Sequence, residues 1–154
     1  MSETPQKILV RQWIRRAEND LLNVRNNLAA QEIPWDTICF HSQQAAEKYL
    51  KAVLVFYAQP VPRTHDLEHL LGMVVQWIPQ IQEQREALRW LTTFAVASRY
   101  PVETVEVADE PQGRRSLDIA QAIRRDCRAY LMELEPTLFD QSTATPPSPP
   151  SSSA

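Results

Sequence analysis

Leu9, Trp13, Ala17, Leu21, Val24 and Leu28 recur at intervals of three or four residues, and charged side chains fill the positions between them. That period lays one apolar stripe along a helix, so the spacing predicts an amphipathic helix from about Pro5 to Gln31. Ala45, Tyr49, Val53 and Phe56 mark a second helix, about Trp35 to Ala58, with Pro34 suited to its first turn. A shorter third helix is predicted near Asp66 to Trp77, where Thr64 or Asp66 can accept the free backbone amides at its start. Leu88, Leu91, Phe94 and Ala95 predict a fourth near Gln80 to Arg99. Leu117, Ala120, Ile123, Cys127, Tyr130 and Leu134 predict a fifth near Gln112 to Glu135. The prolines at 34, 60, 62, 79, 101, 111 and 136 fall between these segments, as residues that interrupt helices should. The pattern predicts an all-α fold, an antiparallel up-and-down helical bundle of four to five helices.

Glycine occurs only at Gly72 and Gly113, which argues against tight hairpins and against glycine loops that cradle phosphates. Tyr100 to Pro111 is the one long connection and carries Glu103, Glu106, Asp109 and Glu110; such loops are often functional. From Pro136 the chain turns Pro/Ser/Thr-rich and almost uncharged. Such a stretch buries too little apolar area to offset ordering, so the expected organisation is a bundle over 5–135 and a disordered tail over 136–154.

At 154 residues, 44% hydrophobic and 23% charged, the chain has the composition of one ordinary globular domain. A formal net charge of -3 gives no global reason to expect nucleic-acid binding. Ten of the 16 basic residues nevertheless lie in two segments: Lys7, Arg11, Arg15, Arg16 and Arg25, then Arg114, Arg115, Arg124, Arg125 and Arg128. If the two segments are neighbours they form a local basic surface; otherwise they are solvated helix faces. Cys39 and Cys127 are too few for a disulfide framework and lack metal-ligand spacing. Together with the lack of an apolar leader or membrane-spanning run, they give the expectation of a cytoplasmic protein that is not bound to a membrane.

The candidate chemistry gathers in helix two. At about 100° per residue, His41, Gln44, Lys48 and Lys51 share one narrow arc, where ammonium groups and a titratable ring could hold a phosphate or a carboxylate. The same spacing fits an ordinary solvated face with one histidine bonded to a neighbouring helix. His65 and Asp66 stand at a helix start, which attracts anions, although Asp66 is equally a cap. His69 follows His65 at the spacing that metal sites use, but no third ligand is evident, so no metal and no cofactor are expected. Arg99, before Tyr100 and Pro101, either caps helix four or reaches into a cleft to hold a phosphate. Glu18 and Asp20 read as ion-pair partners for neighbouring helices.

Several of these runs occur in a familiar order: Ala17 to Leu21 (Ala-Glu-Asn-Asp-Leu), Cys39 to Ala52 (Cys-Phe-His-Ser-Gln-Gln-Ala-Ala-Glu-Lys-Tyr-Leu-Lys-Ala), Thr64 to Leu67 (Thr-His-Asp-Leu) and Ser98 to Pro101 (Ser-Arg-Tyr-Pro). Together they resemble the HEPN domain family, named for nucleotide binding in higher eukaryotes and prokaryotes, over roughly Gln6 to Leu134. The resemblance implies a bundle that commonly forms a homodimer and is often encoded beside a minimal nucleotidyltransferase, the two acting as a toxin–antitoxin pair. Many members are metal-independent ribonucleases whose motif is an arginine followed four to six residues later by a histidine. That motif is absent: no histidine follows Arg99, Arg114, Arg124, Arg125 or Arg128. Arginine alone cannot replace an imidazole as acid or base, because its charge is effectively fixed.

The leading expectation is therefore a module that binds a nucleotide or RNA phosphate and pairs with a nucleotidyltransferase. His41, Gln44, Lys48, Lys51, His65, Asp66, Arg99 and Tyr100 would form the ligand site, with Asp20 and Asp66 orienting the donors. One alternative is an active ribonuclease with a rearranged site, using His41 or His65 as base and Arg99 to stabilise the phosphorane. Another is a dimerisation or adaptor unit anchored by Trp35, Trp77, Trp90 and Tyr100. The ligand-site readings require the helix-two groups to share a crevice with Arg99.

Overall fold

The computed structural model describes residues 3–97 and 108–140. Five α-helices follow one another: α1 (Pro5–Leu28), α2 (Trp35–Phe56), α3 (Leu67–Val74), α4 (Arg85–Ala97) and α5 (Glu110–Leu134). Two 3-10 turns, Pro79–Gln84 and Pro136–Phe139, precede α4 and follow α5. There is no strand among the described residues, so the all-α bundle expected from the periodicity is what forms.

Cross-helix pairs give the directions. The amide of Gln6, at the start of α1, donates to the Val55 carbonyl at the end of α2 at 2.9 Å, so these helices are antiparallel. Lys7 meets Glu135 at 2.9 Å, and Glu18 meets Arg124 at 2.7 Å, so α1 is also antiparallel to α5. Trp35 packs on Gly113 while Tyr57 reaches Tyr130, so α2 and α5 run parallel to each other and antiparallel to α1.

α2 is the central helix. Ile38, Ala45, Ala46, Tyr49, Leu50, Ala52, Val53 and Leu54 are all fully buried along it. Each large apolar side chain so enclosed contributes about 1.5–3 kcal/mol relative to exposure. With neighbours on nearly every side, α2 buries polar residues too: Ser42, Gln43, Glu47 and Lys51. Buried ionic groups on the most enclosed helix must find partners inside the protein, and this positions the site.

Helix ends account for most departures from the expected boundaries. Thr4 caps α1, its hydroxyl accepting from the Lys7 amide at 3.2 Å. Asp109 accepts from the Gln112 amide at 3.0 Å, and Gln112 returns a bond to the Asp109 amide, a capping box that starts α5 at Glu110 instead of Gln112. Pro34 stands just outside α2 as its cap residue, not in its first turn. Asp66 caps α3, which ends at Val74, so the third helix is shorter than expected. The fourth segment begins as a 3-10 turn at Pro79 that places Ile81 in the core, and becomes α-helical only at Arg85. Past α5, order extends beyond Glu135: Leu138 is buried and Phe139 lies against the Arg128 guanidinium at 4.5 Å. Two apolar side chains were enough to dock the first residues of a stretch whose composition reads as tail. Residues 141–154, with the rest of that expected tail, lie outside the described residues.

Gly113 has a specific steric reason. A Cβ there would come within 2.6 Å of the Trp35 ring, so glycine lets α2 and α5 approach at their first turns.

Candidate functional site

Two carboxylates organise the polar side of α2. Asp20, projecting from α1, is only 8% exposed. His41 Nδ1 lies 2.8 Å from its Oδ1, and Lys48 Nζ donates to its Oδ2 at 2.5 Å. His41 and Lys48 are seven residues apart, two helical turns, so they stand one above the other and both reach the same acid. Glu47, on α2 itself, is 4% exposed. His65 Nδ1 lies 2.7 Å from its Oε1, and Lys51 Nζ donates to its Oε2 at 3.2 Å. Gln43 Nε2 donates to the His65 carbonyl at 3.2 Å, tying the segment before α3 to the same face, and Gln44 donates to Gln43 Oε1 at 2.7 Å.

Both histidines thus turn Nδ1 toward a carboxylate. In the neutral ring, donation through Nδ1 leaves a lone pair on Nε2; in the protonated ring, Nε2 becomes a donor to an anion. Either state fixes the ring plane before any ligand arrives. Lys48 and His41 keep side-chain exposures of 21% and 23%, and His65 keeps 46%, so these side chains remain partly accessible to solvent.

A third carboxylate lies two residues from Asp20 and faces α5. Glu18 accepts from Arg124 Nε at 2.7 Å, from Arg128 at 3.3 Å and from the hydroxyl of fully buried Tyr49. Burial alone would push this carboxyl up, but the bond from Arg124, with help from Tyr49 and Arg128, outweighs it and holds Glu18 below its ordinary range. Tyr49 moves the opposite way: burial, then the Glu18 carboxylate, push its hydroxyl well up. Tyr49 is therefore a neutral hub joining α1, α2 and α5.

The expected ligand residues divide accordingly. His41, Lys48 and His65 sit partly exposed beside buried carboxylates. Lys51 is 7% exposed and faces Glu47 and the Trp13 ring, 5.8 Å away, so it serves as an internal counter-ion. Asp66 does not orient the donors of α2; its side chain accepts from the Glu68 and His69 amides at 3.1 Å and 3.3 Å. Arg99 and Tyr100 lie outside the described residues, as do Ser98 and Pro101. His41, Lys48 and His65 line neither of the two cavities found: one of about 250 Å³ between α1 and α5, the other of about 510 Å³ beside Asp66 and His69.

Glu47 and Tyr49 escaped the functional reading of the sequence. The pairing of Glu47 with Lys51 at i,i+4 is a legible ion-pair spacing, but nothing local announces that it is buried. The tryptophans named as interface anchors are engaged internally. Trp35 packs on Gly113, Trp77 stacks on Tyr57 with centroids 4.2 Å apart, and Trp90 lies under Arg115 at 4.2 Å. The two basic segments are adjacent, yet Lys7, Arg114, Arg124, Arg125 and Arg128 all have carboxylate partners. No group able to hold a metal ion occurs among the described residues, and no helix of theirs is long and apolar enough to cross a membrane.

No curated protein and no solved structure matches the chain significantly. The family model for the HEPN domain matches residues 10–130, from the first buried residue of α1 to the Tyr130 contact with α2, so it takes in both carboxylate centres of α2 and the Glu18 cluster. The chain belongs to the HEPN domain family.

Proposed function

We propose that this HEPN protein binds the phosphate of a nucleotide or of RNA on the partly exposed polar side of α2. In this reading it acts as a homodimer beside a minimal nucleotidyltransferase in a toxin–antitoxin-like pair. The observation that carries the ligand reading is the pair of buried acids, Asp20 and Glu47, each fixing the Nδ1 side of a histidine while Lys48 stands alongside. Donors held in place by buried partners lose little freedom on binding, which favours recognition of a compact anion. The dimer and the nucleotidyltransferase rest on family membership.

Calorimetric titration with AMP tests the ligand reading. Wild type is expected to bind, and Lys48→Ala or His65→Ala to bind ~10-fold more weakly, a loss of about 1.4 kcal/mol. No heat at millimolar AMP, or equal affinity in both variants, would overturn it. Co-expression with a minimal nucleotidyltransferase should yield a stable complex on size-exclusion chromatography; separate elution removes the partner reading.

One observation favours a second reading, ribonuclease action from a rearranged site: the Glu47–His65 pair resembles the carboxylate–imidazole unit of a general base. RNA cleavage lost in both His65→Ala and His41→Ala would establish it, and intact RNA after incubation with the purified chain would end it.

A further inference from the structure

The α2 face leaves unexplained the cavity of about 250 Å³ between α1 and α5. Its floor is apolar: Leu21 and Val24 are almost fully buried, and Leu28 and Leu117 are half-buried beside them. Arg25, Arg124 and Glu18 supply the charged part of its lining. Arg124 spends its Nε on Glu18, which Arg128 also contacts, so this carboxylate is already satisfied. Arg25 is exposed, and its side chain makes no hydrogen bond or ion pair with a described residue. Two lining guanidinium groups, Arg25 and Arg124, against the one lining carboxylate leave the hollow net positive.

An apolar floor under an unpaired guanidinium suits a particular chemistry. A neutral hydrocarbon would leave Arg25 unanswered, and a bare anion would leave the leucines wet. A carboxylate matches the planar fork of a single guanidinium, and an attached alkyl or aryl body covers the leucines. The volume lies just below the usual range for drug-sized ligands, so a body of roughly ten non-hydrogen atoms is the right scale. We propose that the α1–α5 cavity is a binding site for a small amphipathic carboxylate, its head on Arg25 and its apolar body on Leu21, Val24 and Leu117.

The site goes beyond the phosphate-binding reading and shares no lining residue with His41, Lys48 or His65. Calorimetry on the full chain with octanoate as probe tests it, with octanol supplying the body without the head and acetate the head without the body. The expected result is one octanoate per chain, binding at least ~10-fold weaker for octanol, and none for acetate. Arg25→Gln should weaken octanoate ~10-fold, and Leu117→Phe should reduce it by filling the hollow. Arg15→Gln, which removes an exposed arginine outside the cavity, and Lys48→Ala should leave it unchanged. Absence of octanoate binding, equal binding of octanol, or equal weakening by Arg25→Gln and Arg15→Gln would overturn the proposal.

Discussion

Asp20 and Glu47 each hold one lysine and one histidine, yet the first leaves both cations partly exposed and the second only the histidine. At Asp20 the acid comes from α1 and both cations keep about a fifth of their side-chain surface exposed. At Glu47 the acid and its lysine both belong to central α2, with side-chain exposures of 5% and 9%, and only His65 stands out, at 46%. The same residue types thus build a half-exposed pair of cations at one centre and an internal strut with one exposed ring at the other. What differs is the depth of the helix face that carries the acid. Ion pairs in the interior must compensate one another, whereas half-exposed cations retain water and can exchange it for a ligand.

The largest expected effect follows from that depth. Glu47→Ala strands the Lys51 ammonium in the interior and should cost about 3–5 kcal/mol of stability in urea unfolding. Asp20→Ala releases cations that can rehydrate and should cost less, about 1.5–3 kcal/mol. Equal losses would break the contrast between the two centres.

Binding should rank the lysines the other way round. Lys48→Ala should weaken AMP ~10-fold with little change in melting temperature, while Lys51→Met should lower melting temperature and leave the affinity of the folded protein within about twofold. If Lys51→Met weakens binding as much as Lys48→Ala, the buried lysine is a ligand donor after all.

Glu18 sharpens the comparison with a third carboxylate, one held by arginines whose charge is fixed. Because its folded carboxyl titrates below the ordinary value of 4.5, the ionised form is favoured by folding. Its contribution is complete above the unfolded value and disappears as pH falls through the folded one. Melting temperature between about pH 3 and pH 7 should therefore fall less steeply on the acid side in Glu18→Gln than in wild type. An unchanged acid limb would contradict the pairing.

The smallest effect belongs to Asp66. As a cap on α3 it should cost about 0.5–2 kcal/mol when replaced by alanine and leave AMP affinity untouched. A loss of affinity would restore it to the ligand site.

How far the sequence spoke for itself varies from residue to residue. Helix existence was plain from the apolar spacing, but the stripes misplaced their ends: Leu9 and Leu134 are exposed, while Val10 and Ile14, which the stripe did not name, are buried. Caps such as Asp109 moved boundaries by a turn or less, since one side chain can satisfy amides that periodicity does not see. His41 and Lys48 were legible as neighbours because two turns of one helix separate them. Their common partner Asp20 reads only as some ion pair, since its mate lies on another helix. Lys51 and Glu47 show the limit most clearly. Their positions on the α2 arc resemble those of Lys48, and only the packing of several helices around α2 decides that they are buried. Asp66 illustrates the opposite error, where proximity in sequence to His65 suggested a shared task but the backbone amides of α3 claimed the carboxylate.

The chain has three histidines, and the account assigns them different fates. Imidazole nitrogen resonances followed during AMP titration read all three in one experiment. The Nε2 signals of His41 and His65 should move and saturate together, while His69, exposed on α3, should stay still. Three unmoved rings, or three that shift alike, would contradict phosphate recognition on the face of α2.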